Sequence, residues 1–145
     1  MPTRKEVNTE ITKRMVAQWG SRTPLFLENQ RLENNTNQQP TVDEAPVGWV
    51  RLVVKFGNTP SQTYGPVGGR RYRRTGMIGF QVFTPLLNGT GMGSGYCEDI
   101  INIFEGQSLP GMDVQFYEGD YSSTGESGSW FQFNGTVTFN FGEIK

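Results

Sequence analysis

Val7, Ile11, Met15 and Trp19 recur at every fourth position, and Val16 widens the stripe, so the spacing predicts an amphipathic helix over residues 3–19. Thr3 and Glu6 fit a capping box, in which a hydroxyl and a carboxylate satisfy free N–H groups at the helix start. Gly20 suits the stop, and Pro24 prevents continuation into Leu25-Phe26-Leu27, a short strand. From Trp49 the period changes to two. Val50, Leu52, Val54 and Phe56 share one face of a strand, and Arg51, Val53 and Lys55 the other. The segment from Arg70 to Pro85 starts basic and ends as a strand, with Gly76, Ile78, Phe80 and Val82 opposed to Met77, Gln81 and Phe83. Cys97, Ile100, Ile101 and Phe104 follow the one-face pattern of a second helix over residues 94–105, with Glu98 and Asp99 placed in its first turns and Gly106 as its stop. A strand over residues 112–117, a Gly/Ser/acid turn over 118–129 and a long strand over 130–141 follow. In the last, Phe131, Phe133, Val137, Phe139 and Phe141 alternate with Gln132, Asn134, Thr136, Thr138 and Asn140.

Between these elements the chain is polar. Residues 28–48, with Asn34, Asn35, Asn37, Gln38, Gln39 and Pro40, form a long loop or extended arm; residues 57–69 and 86–94 form Gly- and Pro-punctuated loops. The pattern predicts a single α+β domain spanning residues 1–145. It has a mostly antiparallel sheet of four to five strands, two helices packed on one face, and long polar loops.

Composition narrows the chemistry. There are no histidines, which removes histidine bases, histidine metal ligands and Ser-His or Cys-His nucleophilic sites. The one cysteine, Cys97, forms no internal disulfide and no Cys-cluster zinc site, and it sits in the apolar stripe as a buried thiol. No apolar run reaches bilayer-spanning length, and the charged first ten residues lack a signal core, so the expected compartment is a cytoplasm or a particle assembled there. Leu, Ile, Val and Phe make up 23% of the chain, a thin core, and the 19 glycines and 8 prolines indicate many loops.

The net charge of −1 conceals an asymmetry: residues 1–74 carry +6 and residues 75–145 carry −7. Nucleic-acid binding by the basic half, complementary contacts between copies of the chain, and simple mixing of the two halves on one folded surface all fit this split. The densest basic segment is Arg70-Arg71-Tyr72-Arg73-Arg74, which suits phosphate contact with base stacking, an acidic protein partner, or a solvated strand end. Gly89-Thr90-Gly91-Met92-Gly93-Ser94-Gly95 lacks the spacing and lysine of phosphate-binding loops and reads as a strand-to-helix connection. Glu118, Asp120 and Glu126 lack a calcium-loop pattern, and Trp19, Trp49 and Trp130 read as core or interface anchors rather than a carbohydrate platform. No constellation argues for an enzyme, and no cofactor or metal is implied.

The ordered features do resemble a known family, the tail terminator proteins of long-tailed bacteriophages (minor tail protein U-like). They are the helix ending near Trp19, the strand at residues 24–28, and Val50-Arg51-Leu52-Val53-Val54. There follow the run from Arg73-Arg74-Thr75-Gly76 through Phe83-Thr84-Pro85, then Gly89-Thr90-Gly91 opening a helix with Ile100, Ile101 and Phe104, and a closing strand pair. Tyr96, Cys97, Glu98 and Asp99 stand where the family usually has small apolar residues, and the arm before Trp49 is longer. The resemblance implies a virion structural protein at the head-proximal end of the tail, assembled in the host cytoplasm. Its subunits would form a homohexameric ring that caps the tail tube protein, stops polymerisation, joins the neck (head–tail connector) protein, and lets genomic DNA through its lumen without sequence preference. Arg70, Arg71, Tyr72, Arg73 and Arg74 would then contact a neighbouring subunit, the tube or passing DNA. The alternatives are a neck or head-completion protein of the same particle and a non-specific nucleic-acid-binding module.

Overall fold

The computed structural model describes residues 3–20, 22–27, 46–57, 63–64, 71–86, 89–109 and 113–144. The arm over residues 28–48 lies outside these apart from its last three residues, as do Arg70 and most of the 57–69 loop. Helix α1 runs Arg4–Trp19; Thr3 caps it, its Oγ1 accepting the Glu6 N–H at 3.2 Å, and Gly20 ends it at φ 62°. The stripe Val7, Ile11, Met15 and Trp19 is buried, while Val16 is exposed.

The strands are β1 (Leu25–Leu27), β2 (Trp49–Phe56), β3 (Thr63–Tyr64), β4 (Arg71–Pro85), β5 (Val114–Ser127) and β6 (Trp130–Ile144), with helix α2 (Gly91–Phe104) between β4 and β5. The sheet order is β1-β2-β4-β6-β5, and the two-residue β3, within the segment read as a loop, pairs with β4. Among the described residues the β1–β2 pairing is parallel and the other pairings are antiparallel. The long β4 and β6 therefore form the centre. Strands β4 and β5 run in the same direction, joined through α2, with β6 inserted between them. Both helices lie on one face, which makes this an α+β fold of the class predicted.

Three boundaries differ from the sequence expectation. Helix α2 begins at Gly91 rather than Ser94, so Gly91 and Gly93 are helical rather than loop, and Glu98 and Asp99 fall beyond its first turn. The reason is packing: a Cβ on Gly93 would lie 2.1 Å from the Phe133 ring, so the helix start rests on β6 only because that position has no side chain. Strand β5 continues to Ser127 where a turn was expected, because β6 supplies its backbone partners through two register shifts, and the hairpin turn shrinks to two residues. Finally, β6 extends to Ile144 through its pairing with β4.

The core between helices and sheet is rich in aromatic rings. Phe104, Phe116, Phe139 and Phe56 form a chain of contacts with centroid separations of 5.3, 5.8 and 5.9 Å. Phenylalanine faces glycine twice across the central strand pair: Phe139 of β6 opposes Gly76 of β4, and Phe80 of β4 opposes Gly135 of β6. The ring of each phenylalanine occupies the space a glycine Cβ would take. Arg14 Nε donates to the Ile103 carbonyl at 2.8 Å, which ties α1 to the free carbonyls at the end of α2.

Cys97 is wholly buried in this core, as its place in the stripe predicts, and its burial, aided by Glu98, pushes the thiol from 9.0 up to about 12. The unfolded chain therefore releases the thiol proton above pH 9 while the folded chain keeps it. The associated stability is complete below pH 9 and is lost as pH rises toward 12, with a limiting slope of about 1.4 kcal/mol per pH unit. Denaturant titrations across this window are expected to show that extra slope in the wild-type chain and not in Cys97→Ala; equal slopes would show the thiol to ionise alike in both states.

Candidate interaction surface

The second face of the sheet carries neither helix. Register places its residues in transverse rows: Arg51, Gln81, Asn134 and Ser122; Val53, Gly79, Thr136 and Asp120; Lys55, Met77 and Thr138, ending at the bulge that holds Tyr117 and Glu118. Two adjoining depressions of about 430 and 440 Å³ run over these rows and share Lys55 and Met77 on their walls. The floor is mostly uncharged: Gln81, Asn134, Thr136, Thr138 and Asn140, with Gly79 leaving it open. Met77 and Tyr117 are exposed there. Alternation in the sequence marked this face as the wetter one; only the strand order shows which residues share a row.

One end of the face is closed by a second, smaller core. Trp49 stacks on Phe83 at 3.9 Å, with Trp130 and Phe26 edge-on at 6.3 and 5.5 Å. Trp49, Phe83 and Trp130 are each at most 2% exposed, so Trp49 and Trp130 are packing anchors, as is Trp19 in the main core. The Arg51 guanidinium lies over Trp49 and donates to Gln81 Oε1 at 3.3 Å.

The arginine run is not one patch among the described residues. Arg71 and Tyr72 are the first residues of β4, paired with Ile144 and Glu143, and Arg70 precedes the described segment. Strand alternation sends Arg73 and Arg74 to opposite faces. Arg73 is half-buried and internally engaged: it donates to Asp113 Oδ2 at 2.8 Å and to Asn140 Oδ1 at 2.5 Å. Arg74 also has an internal interaction. A second long-range ion pair among the described residues, Arg22 with Asp99 at 2.6 Å, likewise joins the basic half of the chain to the acidic half, and Arg22 also lies over Trp19 and Tyr96. Folding thus mixes part of the sequence asymmetry into internal pairs. These pairs keep access to solvent and are individually weak, so they orient segments more than they stabilise them.

The acids do not converge. Glu98 accepts from Tyr121 Oη at 3.3 Å, Glu105 accepts the Gly119 N–H at 2.7 Å, and Asp120 accepts the Tyr121 N–H at 2.8 Å. Among the described residues no group of three His, Cys, Asp or Glu side chains is placed to hold a metal ion, and no helix is long and apolar enough to cross a membrane. The surface offers polar contact and fixed charge.

No family model matches the chain, and no curated protein matches it. Several solved structures are similar to the chain; one of them has a TM-score of 0.65 and 14% identity, with coverage of 100% of this chain and 97% of the other. That likeness establishes a shared α+β fold.

Proposed function

We propose that the chain is a virion structural protein, a tail terminator whose subunits form a ring on the head-proximal end of the tail tube, stop its polymerisation and join it to the neck. The observation that carries this reading is the helix-free sheet face, a broad shallow surface with an uncharged polar floor and exposed Met77 and Tyr117, suited to a protein neighbour. The order of elements on which the family resemblance rests also supports it. The Arg73–Pro85 run forms most of the central strand β4 and leads into α2.

Electron microscopy of particles assembled without this protein tests the role. Overlong tails of uneven length, not joined to heads, are expected; tails of normal uniform length would sink the terminator role. Labelled protein found only on the head side, away from the tube, would make it a neck protein instead. Nucleic-acid binding through the arginine run has less support, because Arg73 already engages Asp113 and Asn140.

A further inference from the structure

The sheet ends on β5, and the outer edge of that strand is open for most of its length. Residues 107–109 pair with its start, through the Phe116 N–H donated to the Gln107 carbonyl at 3.0 Å and the bridge between Ser108 and Gln115. Among the described residues, no backbone segment lies against the outer side beyond Phe116. Between its two register shifts, residues 119–123 form a regular stretch, in which alternate residues turn N–H and C=O away from β6. The outward N–H groups are marked by what they hold. Glu105 Oε2 accepts from Gly119 at 2.7 Å, and Asp120 Oδ1 accepts from Tyr121 at 2.8 Å. Both carboxylates are exposed, as are Glu118, Glu126 and Glu98, which accepts from Tyr121 Oη. Among the described residues none of the five is in an ion pair, and α2, β5 and β6 contain no lysine or arginine. The edge is thus a row of backbone groups whose donors are held by side-chain carboxylates in place of a neighbouring strand.

We propose that the β5 edge at residues 119–123 accepts an extended basic segment of a partner protein as an added strand. The arriving strand offers its carbonyls to the Gly119 and Tyr121 N–H groups, where Glu105 and Asp120 now accept, and its lysine or arginine side chains neutralise the carboxylates it displaces. Main-chain pairing supplies the contact, and charge selects the occupant. Asp120 stands on the helix-free side of the sheet, and Glu98 and Glu105 come from α2 and its end, so the added strand meets carboxylates on both of its faces. The β5 strand of a second copy does not fit: it carries Glu118, Asp120 and Glu126 and no cation, so no register of the two edges offers a counter-charge. A polyanion meets the same repulsion. In the free chain these carboxylates guard the edge against pairing with itself. The edge is apart from the helix-free face, so this contact and the terminator role stand or fall separately.

The test is an NMR titration of the full chain with a short capped peptide of lysine and arginine set among valine and threonine. Amide shifts at residues 119–123, with cross-strand contacts from the peptide backbone to these residues, are expected. The same peptide with alternate amides N-methylated keeps its charge and loses its donors, and it should bind about tenfold or more weakly. Spermine, which has the charge and no backbone, should not reproduce the shifts. Asp120→Asn with Glu98→Gln keeps the hydrogen-bond acceptors and removes charge. Its thermal melt should match the wild type, and it should bind the peptide about tenfold more weakly at low salt, a difference that shrinks as salt is raised. The peptide comparisons use the unaltered chain, so they decide the question even where the variant folds poorly. Equal binding by the N-methylated peptide, or equal shifts from spermine, would overturn the added strand. So would peptide shifts centred on the rows of the helix-free face, or no binding at millimolar peptide, which would leave β5 a guarded edge only. A chain that pairs with a second copy through β5, read by sedimentation velocity and by shifts at the same residues on dilution, would overturn the choice of occupant.

Discussion

Phe139→Ala is expected to lower unfolding free energy by about 3–5 kcal/mol, the range for removing a buried phenylalanine ring, and to fall in its upper part. The cost depends on how far the surroundings can collapse into the space left behind. Here they are poorly able to. The Phe139 ring sits over Gly76, which has no side chain to shift, and touches Phe116 and Phe56 in rings already held by their own neighbours. Phe139 is also the cross-strand partner of both Gly76 on β4 and Phe116 on β5, so its loss loosens the two longest strand pairings together. Urea unfolding followed by tryptophan fluorescence measures this through the shift in midpoint at constant slope. The same substitution at half-buried Phe131 should cost clearly less, and equal effects at the two positions would contradict the packing described.

The second large effect is the converse, adding one methyl group. Gly135→Ala would place a Cβ 2.1 Å from Phe80 Cζ, with the two Cε atoms at 2.4 and 2.7 Å. Real side chains do not tolerate such contacts. The Phe80 ring would have to leave a position in which it is 2% exposed, or β4 and β6 would have to separate. Overpacking of this kind costs about 1–3 kcal/mol or more. The penalty is specific to one partner, so it can be relieved: in a Phe80→Leu background the added methyl should cost much less. The double-mutant cycle should therefore show a coupling of about 1 kcal/mol or more. Additive effects would mean that the Phe80 ring does not occupy the space above Gly135.

These two positions also show where the sequence stopped being informative. Phe139 is legible as core because it belongs to an alternation from Phe131 to Phe141, interrupted at Gly135, in which the intervening residues are polar. Gly135 belongs to the same face, yet glycine has no hydropathy to mark it. Its role depends on a residue more than fifty positions away and on a register that pairs the two. Gly93 is similar: a run of glycines reads locally as a loop, and it becomes helix because Phe133 of another element needs the helix backbone close.

The candidate surface was partly legible for the same reason. Alternation in β2, β4 and β6 separates a wet face from a buried one. It does not say which strands are neighbours, so the rows that set Arg51 beside Gln81 and Asn134, and Lys55 beside Met77 and Thr138, could not be read from it. The arginine run illustrates the opposite error. Five adjacent residues look like one patch in a list of letters, but on a strand consecutive side chains face opposite ways, which divides Arg73 from Arg74.

Period and local chemistry were enough to specify α1 and its cap, the two faces of β2 and β4, the buried thiol of Cys97, and an α+β fold with both helices over one face of its sheet. Each follows from interactions within a few residues, because burying an apolar stripe dictates the backbone period that can present it. The length of β5, the helical start at Gly91, the second aromatic core at Trp49 and the rows of the open face came from the assembled fold. All of these depend on partners distant in the chain. A polar strand forms where a neighbouring strand completes its hydrogen bonds, and a glycine is required where another element's ring fills the space its side chain would have taken.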